Sequence, residues 1–221
     1  VGQAEVEIAS LADVGEESLA AFKDDPLLFE PGTKTLYTSY GYNLLGAVIE
    51  GASRESYDRY LAERVFQPAG MTAARTDDVL AIVPHRAHGY QRTAAGEILN
   101  SPLSDVSNRL AGGGLAATAE DVARFAVALQ RGSLLKPSTA QAAWGRQRTE
   151  DRKLTGFGLG WIVAVTGGRT EVYHTGGQPR VSAVLYMVPR QGFAVVLLCN
   201  LEGVSAALLD LAREIANSLL P

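Results

Sequence analysis

Apolar residues recur at helical spacing in the first half of the chain and bunch into short runs in its last third. Over residues 42–52, Tyr42, Leu45, Ile49 and Ala52 fall on one face with Leu44 and Val48 beside them, which predicts a largely buried helix. Tyr57, Tyr60, Leu61 and Val65 repeat the spacing over residues 56–65, and Pro68 and Gly70 predict its end. Residues 72–110 carry scattered turn formers and weak periodicity, and are read as irregular. Gly112-Gly113-Gly114 then leads to Thr118, a predicted N-cap with Asp121 three residues on. Val122, Phe125, Ala126 and Leu129 continue at i, i+3, i+4 and i+7 until Gly132 ends the helix.

From residue 159 the pattern changes. Residues 159–165, 170–175, 183–188 and 194–199 are short runs rich in valine, leucine, isoleucine and aromatics. Gly167-Gly168, Gly176-Gly177 and residues 189–192 separate them, and connections this short force antiparallel neighbours. The last two runs are apolar without alternation, so both sheet faces should be covered. A C-terminal helix with Val204, Leu208, Leu211, Ile215 and Leu219 in one stripe supplies one cover. The expected fold class is α+β, of the α/β-sandwich type: an antiparallel sheet flanked by helices. Residues 1–150 form its helical and loop-rich part and 151–221 the sheet with its helix, together one domain.

Composition narrows the function classes. A chain of 221 residues, 47% apolar and 20% charged, is long enough to bury a sizeable core. The net charge of −4 without any basic run argues against nucleic acid or an anionic membrane as partner. Apolar stretches such as 194–199 are far too short to span a bilayer. The one cysteine, Cys199, closes such a run and reads as a buried, inert thiol; it leaves no partner for an intrachain disulfide. His85 and His88 stand three apart with no third ligand nearby, so no metal and no other cofactor is expected. Val1-Gly2-Gln3-Ala4 has neither the basic nor the apolar region of a signal peptide, and the compartment stays unassigned.

The chain has no G-x-S-x-G, H-E-x-x-H, P-loop or dinucleotide-binding motif. Two other motifs stand out. Pro31-Gly32-Thr33 leads into Tyr37-Thr38-Ser39 just before the first helix, and His174-Thr175-Gly176-Gly177 ends a strand, with Asn200 closing the hairpin that follows. The first, continued through Tyr40-Gly41-Tyr42-Asn43-Leu44-Leu45-Gly46, resembles the Tyr-x-Asn region of class C β-lactamases, family VIII carboxylesterases and D-aminopeptidases. His174-Thr175-Gly176 resembles the Lys-Thr-Gly strand of the same serine β-lactamase/penicillin-binding-protein group, in the histidine form found among its esterases. Residues 29–46, 111–129 and 174–200 are similar to the mitochondrial β-lactamase-like branch. The resemblance runs from about residue 20 onward, in order and spacing.

That resemblance implies a serine hydrolase acting on a small ester or peptide through an acyl-enzyme, its serine activated by a lysine one helical turn away. Tyr37 would be general base or proton relay, a role open to a phenol, which ordinarily titrates near pH 10, only beside a cation. His174 would face the pocket. Mostly uncharged near neutrality, it would hold a substrate carboxylate less firmly than lysine does, which points to esters and peptides. The Gly177 N–H would be the strand-side oxyanion donor, with Thr175 and Gly176 beside it in substrate binding. Ser39 stands where the family has asparagine, offering one hydroxyl in place of an amide pair.

The nucleophile is missing from its place. Ahead of Tyr37, three residues after Ser10 comes Asp13 and three after Ser18 comes Ala21, so no Ser-x-x-Lys precedes the tyrosine. The one literal match, Ser133-Leu134-Leu135-Lys136, lies between Gly132 and Pro137 where a loop is expected, and is read as coincidence. The expectation is a truncated or processed hydrolase chain without the N-terminal strands and the Ser-x-x-Lys helix. A non-catalytic binding or self-assembling protein of the same fold, and an esterase rebuilt around Ser39 or Ser133, are the alternatives. Strand 194–199 would then present an open edge, expected to be covered by a second copy of the chain or by an N-terminal segment.

Overall fold

In the computed structural model of the chain, residues 18–221 are described; Val1–Ala4 and Ser10, weighed above, lie outside them. Thr38, in extended conformation, starts helix α1 (Ser39–Ser53), its hydroxyl accepting the Tyr40 N–H at 3.3 Å. The Glu50 carboxylate accepts the N–H of Tyr57 at 2.8 Å and ties α1 to α2 (Tyr57–Leu61). Helical structure ends at Gly70, one of the two predicted stops, but runs through the other, Pro68. A π-helical turn (Ala62–Phe66) carries it into Gln67–Ala69, ending at Gly70 with φ 71°. Proline lacks the N–H a regular turn would use, and the wider turn ahead of it shifts the bonding so that Gln67 donates to the Ala62 carbonyl. Tyr57, Leu61, Phe66 and Leu110 form the core here, with Ile49, Val65 and Met71 packed on it.

Residues 72–110 are mostly irregular, broken by β1 (Arg75–Thr76) and a hairpin of β2 (Tyr90–Arg92) with β3 (Ile98–Asn100). After a 3-10 turn come α3 (Leu110–Gly113) and β4 (Leu115–Ala116), which pairs antiparallel with β1. Helix α4 (Ala119–Gln130) opens with the anticipated capping box, Thr118 Oγ1 accepting the Asp121 N–H at 3.1 Å. A further helix, α5 (Pro137–Ala143), starts on a proline at its first turn and buries only Ala140 and Ala143. Two small residues gave no periodic signal.

Four antiparallel strands follow in the order β5 (Ile162–Thr166), β6 (Arg169–Gln178), β7 (Val181–Val188) and β8 (Phe193–Cys199). The sheet is flanked by helices, as expected. On one face Val184, Tyr186 and Val188 pack against Ala212 and Ala216 of α6 (Ser205–Leu219). On the other, Val172 and Met187 pack against Ala126 of α4, with Trp144 and Trp161 alongside. Among the described residues, no strand pairs with the outer edge of β8. No helix among them is long and apolar enough to cross a membrane.

Three expectations need correction. The face of α6 on the sheet is only in part the expected stripe: Leu208 packs there, but Ala212 and Ala216 are its fully buried residues while Leu211 and Leu219 are exposed. Small side chains let the helix sit close enough to cover Tyr186 and Val188. Helix α1 is not largely buried. Its buried residues are Asn43 and Gly46, whereas Leu44, Leu45 and Val48 are 46%, 55% and 56% exposed. The polar and small face of α1 meets the α3 segment, and its leucines meet no comparable cover among the described residues. Cys199 is half-buried rather than enclosed, since it sits at the end of an edge strand.

Candidate active site

Tyr37 lies in the extended stretch just before α1, and its backbone course there is set by the Thr38 cap. His174 lies mid-strand in β6, paired with Leu185 of β7. Strand alternation puts Val172 against α4 and Tyr173 against α6, so His174 shares the face of Val172. The rings of Tyr37 and His174 approach to 5.7 Å between centroids. Tyr42, one turn into α1, stands 5.8 Å from Tyr37 and 6.4 Å from His174, edge-on to the latter. Phe157 runs nearly parallel to Tyr37 at 6.5 Å. Four aromatic rings from three separate stretches of chain thus meet at one place.

The protonation pattern follows from the partners. His174 Nδ1 lies 2.8 Å from the Thr175 carbonyl, which can only accept, so Nδ1 carries the proton. In the neutral ring Nε2 is then left with its lone pair. Burial pushes the Tyr42 phenol above its ordinary value, and the neighbouring Tyr37 adds to this. Tyr42 therefore stays a neutral donor at any physiological pH.

Thr175, next along β6, shares the face of Tyr173 by strand alternation, so its side chain is turned from the tyrosine cluster and only its carbonyl meets His174. Gly176 and Gly177 pair with Ala183 and Ser182 of β7, and Gly177 is exposed. The pairing with β5 ends at Tyr173, so among the described strands none flanks residues 174–178 on that side. Ser39 opens α1 two residues after Tyr37 and is exposed. Ser133 stands apart in the turn after α4, its N–H closing that helix on the Ala128 carbonyl at 2.9 Å.

Residues to which the sequence gave no role hold the two halves together. Asn43, 1% exposed, accepts the Gly112 N–H at 3.0 Å through Oδ1 and donates from Nδ2 to the Asn108 carbonyl at 3.4 Å. A Cβ at Gly112 would lie 2.8 Å from Asn43 Oδ1 and 2.9 Å from the Ser39 carbonyl. At Gly113 it would collide with the Gln178 amide at the end of β6. Bare backbone at 112–113 is what lets α1 and β6 approach the same segment. The three consecutive glycines were the available signal.

Beyond Gly177 the β6–β7 turn borders a cavity of about 350 Å³ lined by Gln91, Ser101, Leu103, Pro179 and Glu202, among others. The Glu202 carboxylate there accepts the Arg180 N–H at 2.9 Å and the Ser101 hydroxyl at 3.1 Å. Among the described residues no three His, Cys, Asp or Glu side chains gather where they could hold a metal ion.

Residues 2–219 match the Beta-lactamase family. The chain is 28% identical over 240 residues to the mitochondrial serine beta-lactamase-like protein of Bos taurus, covering 90% of this chain and 43% of that one. It is 29% identical over 227 residues to penicillin-binding protein 4 of Amycolatopsis lactamdurans, covering 96% of this chain and 56% of the relative. The chain thus spans about half the length of these relatives. Its fold is that of a penicillin-binding protein from Bacillus halodurans, with a TM-score of 0.77, 24% identity, and coverage of 93% of this chain and 63% of that one. Since the family match runs almost end to end and the sheet, flanking helices and ordered motifs accord with it, the chain belongs to the Beta-lactamase family.

Proposed function

We propose that these 221 residues provide the tyrosine, histidine and oxyanion portion of a serine acyl-transfer site that hydrolyses small esters or peptides. The observation that carries this reading is the 5.7 Å approach of Tyr37 and His174, from separate halves of the fold, beside the exposed Gly177. Tyr37 acts as base or relay for the serine proton, and the Gly177 N–H receives the negative charge that develops on the substrate carbonyl oxygen. His174, with Nδ1 tied to Thr175, offers Nε2 to the proton network or to the leaving group. The substrate lacks a carboxylate near the reacting bond, because the site offers it a histidine rather than a lysine and Glu202 lines the adjoining cavity. No Ser-x-x-Lys precedes Tyr37, so the nucleophile comes from polypeptide outside these residues.

A fluorophosphonate probe and a p-nitrophenyl ester test this, with any adduct located by mass spectrometry. The chain alone should stay unlabelled and hydrolyse at background. Joined behind a Ser-x-x-Lys segment of a relative, it should become labelled on that serine and lose labelling on Tyr37→Phe. An adduct on Ser39 or Ser133 of the chain alone would replace this reading with a rebuilt site. No labelling in either form would leave the family fold in a binding role.

A further inference from the structure

The first residue of α6, Ser205, donates its hydroxyl to the Gly176 carbonyl at 2.5 Å. That carbonyl belongs to the same peptide unit as the Gly177 N–H. A second bond fixes the same junction: the Val204 N–H donates to Ser182 Oγ at 3.0 Å, and Ser182 is fully buried and paired with Gly177. A Cβ on Gly177 would lie 3.5 Å from Ser205 Oγ, so the hydroxyl packs directly over this peptide. The helix beginning here is 15 residues long, and its positive end adds to the field at the Gly176–Gly177 peptide. None of these residues belongs to the tyrosine–histidine cluster, and they approach β6 from the opposite face.

We infer that Ser205 is a positioning residue that polarises the Gly176–Gly177 peptide and so strengthens the Gly177 N–H as a hydrogen-bond donor to an oxyanion. A carbonyl that accepts a hydrogen bond draws electron density from its amide nitrogen, and the N–H of that unit becomes more positive. Ser182 keeps the helix end in place, so that the Ser205 hydroxyl cannot drift from its acceptor. The oxyanion use of Gly177 rests on the reading proposed above; the polarisation itself does not.

The two are separable by NMR on the isotopically labelled 221-residue chain. Ser205→Ala should move the Gly177 amide proton upfield and shift the Gly176 carbonyl carbon, while amides of the buried core, Val184 among them, stay in place. Ser205→Thr, which keeps a hydroxyl at the same position, should restore both signals. A Gly177 amide proton unmoved by Ser205→Ala overturns the inference, as does a shift that threonine fails to reverse. Should the core amides also move, Ser205→Cys provides the second test: a weak donor of similar size should give the alanine-like shift at Gly177 with the core intact. If the signals respond as expected while the Ser-x-x-Lys-completed protein takes no label, polarisation by Ser205 stands and the hydrolase reading falls.

Discussion

Helices α1 and α6 are both 15 residues long and both carry leucines and alanines, yet they meet the rest of the molecule in opposite ways. Helix α6 presses Ala212 and Ala216 against Val184, Tyr186 and Val188, and its Arg213 is anchored on Glu171 of β6. Helix α1 turns Asn43 and Gly46 inward and leaves Leu44, Leu45 and Val48 in solvent. The sheet half is therefore packed by its own residues. The α1 half is packed only on the side that faces Gly112 and α3, although it presents Tyr37 and Tyr42 to His174. The contrast shows that apolar periodicity in a helix marks a face without telling whether the rest of the chain covers it.

The largest effect should come from the anchor of α6. Glu171 is buried, and its Oε2 accepts from Arg213 Nε and Nη2 at 3.1 Å each, with the guanidinium 5.4 Å from the Tyr173 ring. Glu171→Ala removes the buried partner of Arg213, leaves the half-buried guanidinium with only its 3.9 Å contact to Asp210, opens a cavity under α6, and should lower unfolding free energy by about 3 kcal/mol in urea titrations. A loss under about 1 kcal/mol would show that α6 is held by apolar packing alone.

Next comes the alkaline limit of the same region. Burial, with the charge of Glu171 adding to it, pushes the Tyr186 phenol up to about 12. In the unfolded chain it titrates near 10, so between these values the folded state keeps a proton the unfolded state has lost. Stability contributed by this group is complete below pH 10 and falls as pH rises towards 12, by about 2–3 kcal/mol in all. Tyr186→Phe should flatten that decline in denaturation midpoints. An unchanged decline would assign the alkaline loss to other groups.

How much of this could be read from the residues alone depends on whether the signal was local. Thr118 with Asp121, the Gly167-Gly168 turn and the apolar runs of β7 and β8 act through near neighbours and formed as expected, whereas Gly176-Gly177, read as a turn, continue β6 to Gln178. The order of the two motifs brought Tyr37 and His174 under consideration together, although 137 positions separate them in the sequence. What was illegible was set by distant partners. Periodicity found the leucines of α1 and α6 but could not say that alanines would face the sheet, nor that Asn43 would be enclosed by Gly112. Pro68 marked a break that the π-helical turn absorbed, because only the folded helix shows how Gln67 finds a different acceptor.

A third substitution sharpens the comparison on the α6 side. Ala212 is fully buried against Val184, Tyr186 and Val188 of β7. Ala212→Leu adds volume to a contact that has none to spare, and should cost about 2 kcal/mol by overpacking. Ala206→Leu, on an exposed position of the same helix, is the control for leucine itself.

The smallest effect is the one that most directly breaks the comparison. If the leucine face of α1 is truly uncovered in the 221-residue chain, Leu45→Lys and Val48→Lys should change unfolding free energy by no more than about 0.5 kcal/mol each, since neither removes a packed contact. They should also reduce any self-association that the exposed face drives, measurable by sedimentation velocity. In the protein completed by a Ser-x-x-Lys segment, the same substitutions should become costly if that segment packs on this face. The difference between the two backgrounds, rather than either value alone, reports the cover. A loss in the chain alone as large as that of Ala212→Leu would mean that α1 is already packed and that its likeness to α6 is greater than the exposure of its leucines indicates.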